Sequence, residues 1–202
     1  LISYYTEWQE NRSLVKHLFW FKKYNGRKWI NGQNFGDYLS CVVVAEAARK
    51  LGLTTSTLSD TRKLLAIGSI LHFAHNGDIV WGSGVNGKIA PAQHDFSSLD
   101  VRMVRGPMTK DFLNQRGIAV AEVFGDPALL LPTLFPEFTR RPEPNKVTVL
   151  PNLNEFEPLT KRPLRSMNLI SPLRHWRIIL FELLTSELVL TSSLHGIVLA
   201  EA

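Results

Sequence analysis

The sequence predicts an α/β protein built on parallel β-sheets. Short apolar runs of strand length alternate along the chain with segments of helical periodicity, and this alternation is typical of parallel sheets. The predicted strands end in Gly, Ser or Asp, which suits turns at the carboxyl edge of such a sheet. A polar, proline-rich stretch predicts a linker at residues 141–146, so the chain is expected to form two domains, 1–140 and 147–202.

The composition is that of a globular protein, since 45% of the 202 residues are apolar and 20% are charged. The net charge of +5 suits an anionic substrate or surface, but no run of five basic residues indicates nucleic acid. The single cysteine, Cys41, excludes a disulfide framework and favours a cytoplasmic location. No apolar run reaches the roughly 20 residues of a membrane-spanning helix.

The elements of the N-terminal domain follow from apolar runs and their punctuation by glycine and proline. Strands are predicted at residues 2–5, 64–69, 78–84, 100–104 and 120–124. A helix over residues 39–51 should end at Gly52. A second helix, residues 109–115, has Pro107 at its first helical position and Gly117 at its end.

Residues 14–24 (LVKHLFWFKKY) are aromatic and basic, and two interpretations stay open. The segment is either a helix that lies on a membrane surface or a peripheral helix whose aromatic rings pack on the protein. The second is favoured because it is the commoner arrangement. The first would place the protein at the inner face of the membrane.

The C-terminal domain is predicted to begin with strands at residues 147–150 and 169–171, followed by a helix over 175–184. A strand over Leu188–Leu190 and a helix from Leu194 then close the chain. Because the sequence stops at Ala202 inside this helix and lacks an initiator Met, we expect a piece of a longer protein. Its second sheet would be incomplete, with an exposed apolar edge that favours association and weak catalysis.

Hydroxyl residues separate this last strand from the last helix. Ser192 or Ser193 is a good N-cap, which places His195 in the first helical turn beside N–H groups that lack intrahelical partners. Such N–H groups, the hydroxyls and the positive end of the helix dipole suit a phosphate. The turn is therefore a candidate anion site, and an ordinary capped turn is the equal alternative.

Residues 82–87 match the pattern GxGxxG directly after a predicted strand. A dinucleotide site also needs a helix to begin there, but the following residues have no helical period and include Pro91. A glycine-lined wall, where the backbone approaches a ligand, is the favoured interpretation. Gly82, Ser83 and Gly84 are accordingly candidate binding residues.

Four charged residues stand at or near the ends of predicted elements. Arg105 follows the third buried strand and precedes Gly-Pro and a helix, where a guanidinium suits a carboxylate or phosphate; a plain surface arginine is about equally expected. Arg102 is expected to be peripheral. Asp37 and Asp126 follow glycines at turns, and each is a candidate base, a binder of sugar hydroxyls or a helix cap. Capping is favoured for Asp126 and undecided for Asp37.

Three histidines, His72, His75 and His94, fall in loops between predicted elements. No carboxylates stand at ligand spacing around them, so no metal site is predicted. Neither a GxSxG element nor a Cys–His pair indicates covalent catalysis.

Five segments of the chain resemble the polysaccharide pyruvyl transferase family in their order and spacing. They are Asn34-Phe35-Gly36-Asp37, Trp81-Gly82-Ser83-Gly84, Val104-Arg105-Gly106-Pro107, Gly125-Asp126-Pro127-Ala128, and residues 191–196 with 200–202. In this family Arg105 and His195 match residues of the donor site. The matching segments also make Asn34 and Leu194 candidate substrate contacts.

The resemblance implies a GT-B-like fold of two Rossmann-like halves with the ligand cleft between them. It implies a transferase that moves pyruvate from phosphoenolpyruvate onto a sugar, usually as a cyclic ketal, without a further cofactor. The acceptor would be a bacterial surface polysaccharide, such as an exopolysaccharide or capsule, or its lipid-linked precursor. The alternatives are a GT-B nucleotide-sugar glycosyltransferase and a non-catalytic carbohydrate-binding module.

Departures from the family pattern occur at two anion contacts. The family often has a histidine after the first strand of the second half, where this chain has Pro151-Asn152. Some members carry an arginine two residues before the histidine, where this chain has Ser193. One anion contact is thus missing here or supplied elsewhere. Residues 14–29 resemble an insertion.

The resemblance also implies roles for the candidate residues. Arg105 and the Ser192–His195 turn, from opposite halves, would hold the carboxylate and phosphate of the donor. His195 would bind phosphate or act as acid or base, and Asp37 would orient or deprotonate the acceptor hydroxyl.

Overall fold

The computed structural model describes residues 10–15, 17–19, 34–53, 62–162, 164 and 166–202. Within these ranges the protein is α/β and every strand pair is parallel, which confirms the predicted fold class. The predicted strand at residues 2–5 lies outside the described residues. The GT-B-like arrangement stays a prediction.

The strands are β1 (Leu18–Phe19), β2 (Leu64–Leu65), β3 (Ile79–Trp81), β4 (Asp100–Met103), β5 (Glu143–Leu150), β6 (Asn168–Leu169) and β7 (Ser186–Thr191). The helices are α1 (Phe35–Lys50), α2 (Pro107–Asn114), α3 (Leu131–Leu134), α4 (Leu153–Thr160), α5 (Trp176–Leu184) and α6 (Leu194–Glu201). The strands form two sheets, with the orders β1-β2-β3-β4 and β6-β5-β7.

The chain divides into two compact units, and each is assembled from separate stretches of sequence. Of the described residues, the first unit contains 34–39 and 128–202, and the second contains those from 10 to 19 and from 40 to 127. The predicted domains 1–140 and 147–202 stay a prediction. However, β5 begins at Glu143, so residues 143–146 of the predicted linker belong to a strand.

The sheet of the second unit brings the carboxyl ends of β2, β3 and β4 to one edge, because the three strands are parallel. Asp78 fixes the opposite edge. Its carboxylate accepts the N–H groups of Lys63 and His75 at 2.8 Å each. The apolar core of this unit includes Leu65 of β2, Val80 of β3 and Leu113 of α2. The loops after β2, β3 and β4 therefore begin from a fixed frame.

The sheet of the first unit has β5 at its centre. Its buried Thr148 accepts a hydrogen bond from the Ser186 hydroxyl at 2.7 Å, which satisfies two buried hydroxyl groups. Helix α5 buries Trp176, Ile179 and Leu183, and thus supplies much of the apolar core of this unit. The last strand and the last helix, β7 and α6, confirm the predicted strand and helix at the end of the chain.

Most predicted helices are confirmed, and the first two begin a few residues earlier than predicted. Helix α1 begins at Phe35 and ends before Gly52, whose positive φ of 66° suits a residue after a helix. Helix α2 begins at Pro107, the predicted first helical position. Helix α5 begins after His175, whose ring nitrogen accepts the N–H of Arg177.

Two predictions for the second unit are wrong. Residues 14–24 are predicted to be helical. Instead, Leu18–Phe19 form β1, which pairs with Leu64–Leu65 of β2. Residues 16 and 20–24 lie outside the described residues. The pairing with β2 and the contact of Phe19 with Phe73, at 5.1 Å between ring centroids, outweigh the local helical pattern.

The predicted strand at residues 120–124 is also absent from the described fold. Phe124 makes only an isolated parallel bridge with Val104. Among the residues that the structure describes, no second strand pairs with this segment, and Val123 is 49% and Phe124 is 42% exposed. The apolar residues that favoured a strand therefore remain largely at the surface.

Candidate active site

Arg105 lies just beyond β4, at the carboxyl edge of the second unit's sheet. Its Nη1 donates to Ser69 Oγ at 2.9 Å, and its Nη2 donates to the carbonyl oxygen of Val85 at 3.2 Å. Burial lowers the pKa of Arg105, and the charge of Asp126 raises it. Because arginine stays protonated at physiological pH, a half-buried cation is held at this edge.

The glycine run after β3 makes room for this arginine. A Cβ atom on Gly84 would lie 2.5 Å from Arg105 Nη2, closer than atoms can approach. A Cβ atom on Gly82 would lie 2.3 Å from Pro127 Cδ. Ser83 is buried, and its hydroxyl donates to the Gly68 carbonyl at 2.9 Å. These residues thus pack against the protein's own side chains, and their contact with a ligand stays a prediction.

Residues 83–86, which follow β3, adopt no regular structure, so the described chain has no helix at the GxGxxG match. A dinucleotide fingerprint needs a helix at that point, and the predicted lack of helical structure after the glycine run is confirmed. Asp126 lies just before a 3₁₀ turn, Pro127–Leu130, and is 5% exposed. Its charge acts on Arg105, as given above, which places its carboxyl group in the surroundings of that cation.

His195 is the second residue of α6 in the first unit and is 9% exposed. Ser193 is the N-cap of this helix, because its hydroxyl accepts the Gly196 N–H at 3.4 Å. The imidazole lies against the first turn of α1. A Cβ atom on Gly36 would stand 2.2 Å from His195 Nδ1, so only a glycine permits this approach.

The first turn of α1 is held by its own cap. Asn34 Oδ1 accepts the Gly36 N–H at 3.0 Å, and the Phe35 N–H donates to the Pro172 carbonyl at 3.0 Å. Asn34 therefore has a structural role as a helix cap. Asp37 follows in the same turn, and burial raises its pKa from 3.8 to about 6.

Because Gly36 contacts His195 and is bonded to Asp37, the structure brings both predicted catalytic residues to the first turn of α1. A carboxyl group with a pKa close to neutrality is suited to proton transfer. The N-terminal turn of α6 adds backbone N–H groups beside the imidazole. This corner of the first unit thus combines a titratable carboxyl group, an imidazole and a helix N-terminus.

The predicted anion turn holds a carboxylate that the sequence analysis missed. The hydroxyl of Ser192 donates to Glu155 and accepts the Asn152 N–H at 3.1 Å. Asn152 caps α4 by accepting the N–H groups of Asn154 and Glu155. An Asn with Glu three residues later resembles a capping box, and that spacing was the available signal for Glu155. A negative charge at this point disfavours phosphate beside the Ser192 hydroxyl.

Thr191 shapes the same turn from the other side. Its hydroxyl donates to the Leu150 carbonyl at 2.6 Å and accepts the Ser193 N–H at 3.0 Å. These bonds join the ends of β5 and β7. Leu194, a predicted substrate contact, is 43% exposed at the start of α6. Its contact with a substrate stays a prediction.

The predicted site residues fall into two groups. In the first unit lie Asn34, Asp37, Ser192, Ser193, Leu194 and His195. In the second unit lie Gly82, Ser83, Gly84, Arg105 and Asp126. Arg102 is exposed and bonds to Asp100 at 2.6 Å, so its predicted peripheral position is confirmed. Sequence reasoning also missed Ser69, whose only signal was its place at a strand end.

No cluster of three or more potential ligands for a metal ion occurs among the described residues. His72 and His94 instead pack among aromatic rings, with 4.7 Å between the centroids of His94 and Phe112. In the same part of the chain, no helix has both the length and the apolar character needed to cross a membrane.

Comparison with known families extends these observations to nearly the whole chain. The sequence model of a family described as polysaccharide pyruvyl transferase matches residues 2–202. Comparisons with curated proteins and with solved structures found no match. The family match includes all five segments quoted above and residues of both units. The chain therefore belongs to the polysaccharide pyruvyl transferase family and is a transferase.

Proposed function

We propose that this transferase moves pyruvate from phosphoenolpyruvate onto a sugar of a bacterial surface polysaccharide or its lipid-linked precursor, and forms a ketal. The observation that carries the proposal is the fixed guanidinium of Arg105 at the carboxyl edge of a parallel sheet. Ligands of open α/β sheets bind at this edge. The donor carries two anionic groups, a carboxylate and a phosphate, and the carboxylate matches the planar fork of arginine.

The proposed reaction begins at the enol carbon of the donor. A proton adds to C3, and C2 gains oxocarbenium character. One sugar hydroxyl adds to C2, the bond from C2 to the phosphate oxygen breaks, and a second hydroxyl closes the ketal. The two hydroxyl groups release two protons, while C3 takes up one and the departing phosphate carries one, so the protons balance.

The first turn of α1 supplies the groups proposed for these proton transfers. Asp37 accepts a proton from an acceptor hydroxyl, because its pKa of about 6 leaves it mostly ionised yet able to exchange protons near neutral pH. His195, packed on Gly36, either contacts the leaving phosphate or transfers a proton. The two roles predict different results for substitution, since glutamine can donate a hydrogen bond but cannot move a proton.

The proposal is tested by incubating the protein with phosphoenolpyruvate and a panel of lipid-linked oligosaccharides. We expect release of inorganic phosphate only with certain acceptors, and a mass gain in those acceptors equal to one pyruvate ketal. Consumption of a nucleotide sugar without loss of phosphoenolpyruvate would favour the glycosyltransferase alternative. Glycan binding without any reaction would favour a binding module. Either result would contradict the proposal.

A further inference from the structure

We propose that Ser69 is a positioning residue that fixes the guanidinium plane of Arg105 for the donor carboxylate. The inference rests on the proposed function, in which Arg105 contacts that carboxylate. The arginine side chain is long and flexible, and bidentate recognition requires its fork to face the ligand in one orientation. Ser69 Oγ lies 2.9 Å from Nη1 and accepts its hydrogen bond, so this hydroxyl restricts rotation of the guanidinium.

The hydroxyl of Ser69 is itself carried on a fixed segment. The preceding residue, Gly68, accepts two hydrogen bonds through its carbonyl oxygen, from the Ser83 hydroxyl at 2.9 Å and from the Gly84 N–H at 3.0 Å. These bonds tie the loop after β2 to the loop after β3. Ser69 therefore presents its oxygen from a backbone that cannot shift independently of the neighbouring loop.

A second contact holds the other side of the same guanidinium. The Val85 carbonyl accepts from Nη2 at 3.2 Å, while the Val85 N–H donates to Thr109 Oγ1 at 3.3 Å. The absence of a side chain on Gly84 lets the guanidinium lie directly on the backbone. Nη1 of Arg105 is thus bonded to Ser69 and Nη2 to Val85. Together these two bonds define the plane of the guanidinium.

This arrangement leaves donors for a ligand. A guanidinium has five N–H groups, and the bonds to Ser69 and Val85 use two of them. The remaining N–H groups can serve a carboxylate oxygen pair. Ser69 does not need to touch the donor in order to act, so its loss should weaken donor binding more than it slows the chemical step.

The test compares Ser69→Ala with the wild type and with three further variants. Ser69→Thr keeps the hydroxyl and should retain donor binding. Ser97→Ala is the matched control, because it removes an exposed serine hydroxyl that bonds to Asn76 in the same unit, without contact to Arg105. Arg105→Ala reports on the proposed function itself.

We expect Ser69→Ala to raise KM for phosphoenolpyruvate about 3- to 10-fold, the effect of losing one hydrogen bond, with kcat changed less than about twofold. Ser69→Thr and Ser97→Ala should stay near the wild type. NMR relaxation of isotope-labelled arginine side chains, measured without donor, should show an ordered Arg105 Nε–H in the wild type and a more mobile one in Ser69→Ala.

Wild-type donor affinity in Ser69→Ala, together with loss of affinity in Arg105→Ala, would overturn the role of Ser69 and leave the proposed function intact. Unchanged affinity in Arg105→Ala would overturn both. If kcat falls in Ser69→Ala and the melting temperature falls with it, the role of Ser69 is merely structural. That result would contradict a positioning role. If Ser69→Ala does not fold, a mobile Arg105 side chain in the wild type alone overturns the inference.

Discussion

At the scale of single residues, the lack of a side chain at Gly36 allows the imidazole of His195 to lie against the first turn of α1. A Cβ atom there would lie 2.2 Å from His195 Nδ1 and 2.7 Å from Cγ, so Gly36→Ala must displace the imidazole. We expect kcat to fall about 10- to 100-fold, the effect of moving a reacting group by about an ångström. Helix α1 itself should not weaken, because alanine is the better helix former.

Gly87→Ala provides the control for this substitution, because a Cβ atom on Gly87 would meet no atom within 4 Å. Steady-state kinetics and thermal unfolding of both variants separate the two effects. Native turnover in Gly36→Ala would mean that the position of the imidazole does not matter for the reaction.

Arg105 makes a second prediction at this scale. Arg105→Lys keeps the positive charge but loses the planar fork that reaches Ser69 and Val85 together. We expect a loss of about 1.5–3 kcal/mol in donor binding, which is the range for a hydrogen bond to a charged group. KM for phosphoenolpyruvate measures this loss, and an unchanged KM would remove Arg105 from the donor site.

Substitution of Asp37 is expected to change activity and stability in opposite directions. Burial raises its pKa from 3.8 to about 6, so the folded state binds more protons than the unfolded state between these values. The protonated Asp37 therefore contributes to the stability of the folded state below pH 3.8. This contribution is lost as the pH rises through about 6. Asp37→Asn removes the buried charge and should stabilise the protein at pH 8 by about 3 kcal/mol at most.

The same substitution should abolish the rise of kcat/KM between about pH 5 and pH 7 that ionisation of Asp37 produces in the wild type. Denaturant unfolding at pH 8 and a pH–rate profile measure the two effects. A variant that is less stable than the wild type at pH 8, or that keeps the wild-type pH–rate limb, would contradict the assignment.

At the scale of elements, helix α5 is held to the residues after α3 by a stacked arginine. The Arg177 guanidinium carbon lies 4.5 Å from the Trp176 ring centroid, 5.5 Å from that of Phe138 and 5.8 Å from that of Phe135. We expect Arg177→Gln to cost about 1–2 kcal/mol of unfolding free energy, the value of a partly desolvated cation–π contact.

Arg102→Gln is the matched control for Arg177→Gln. Arg102 is exposed and pairs with Asp100, and an exposed pair contributes about 0–1 kcal/mol. Denaturant unfolding followed by tryptophan fluorescence compares the two variants. Equal losses in both would show that the aromatic stack adds nothing to the stability of the first unit.

The elements also show how far local patterns predict this fold. The long helices α1 and α5 and the strands β5 and β7 could be predicted, because each has a clear apolar period and a capping or breaking residue at its end. The strand at Leu18–Phe19 could not, since its pairing with Leu64–Leu65 is a contact between distant parts of the sequence. Local periodicity contains no information about such a partner.

At the scale of the whole molecule, the sequence identified the segments of the candidate site but not their grouping. Residues 34–39 share a unit with residues 128–202, although the 88 residues from Ser40 to Pro127 separate the two stretches along the chain. The contact of Gly36 with His195 follows from that grouping. The contacts of Glu155 with Ser192 and of Ser69 with Arg105 are likewise tertiary. The spacing of Asn152 and Glu155 indicates a helix start, but it does not indicate that Ser192 lies beside Glu155.

Transfer of pyruvate from phosphoenolpyruvate to a sugar is best measured by following both parts of the donor in one experiment. The donor carries radioactive carbon in its pyruvate part and radioactive phosphorus in its phosphate part. We predict that labelled carbon appears in the acceptor glycan and labelled phosphorus in inorganic phosphate, in equal amounts. Release of labelled phosphate without labelled carbon in any glycan of the panel would rule out pyruvate transfer to these acceptors.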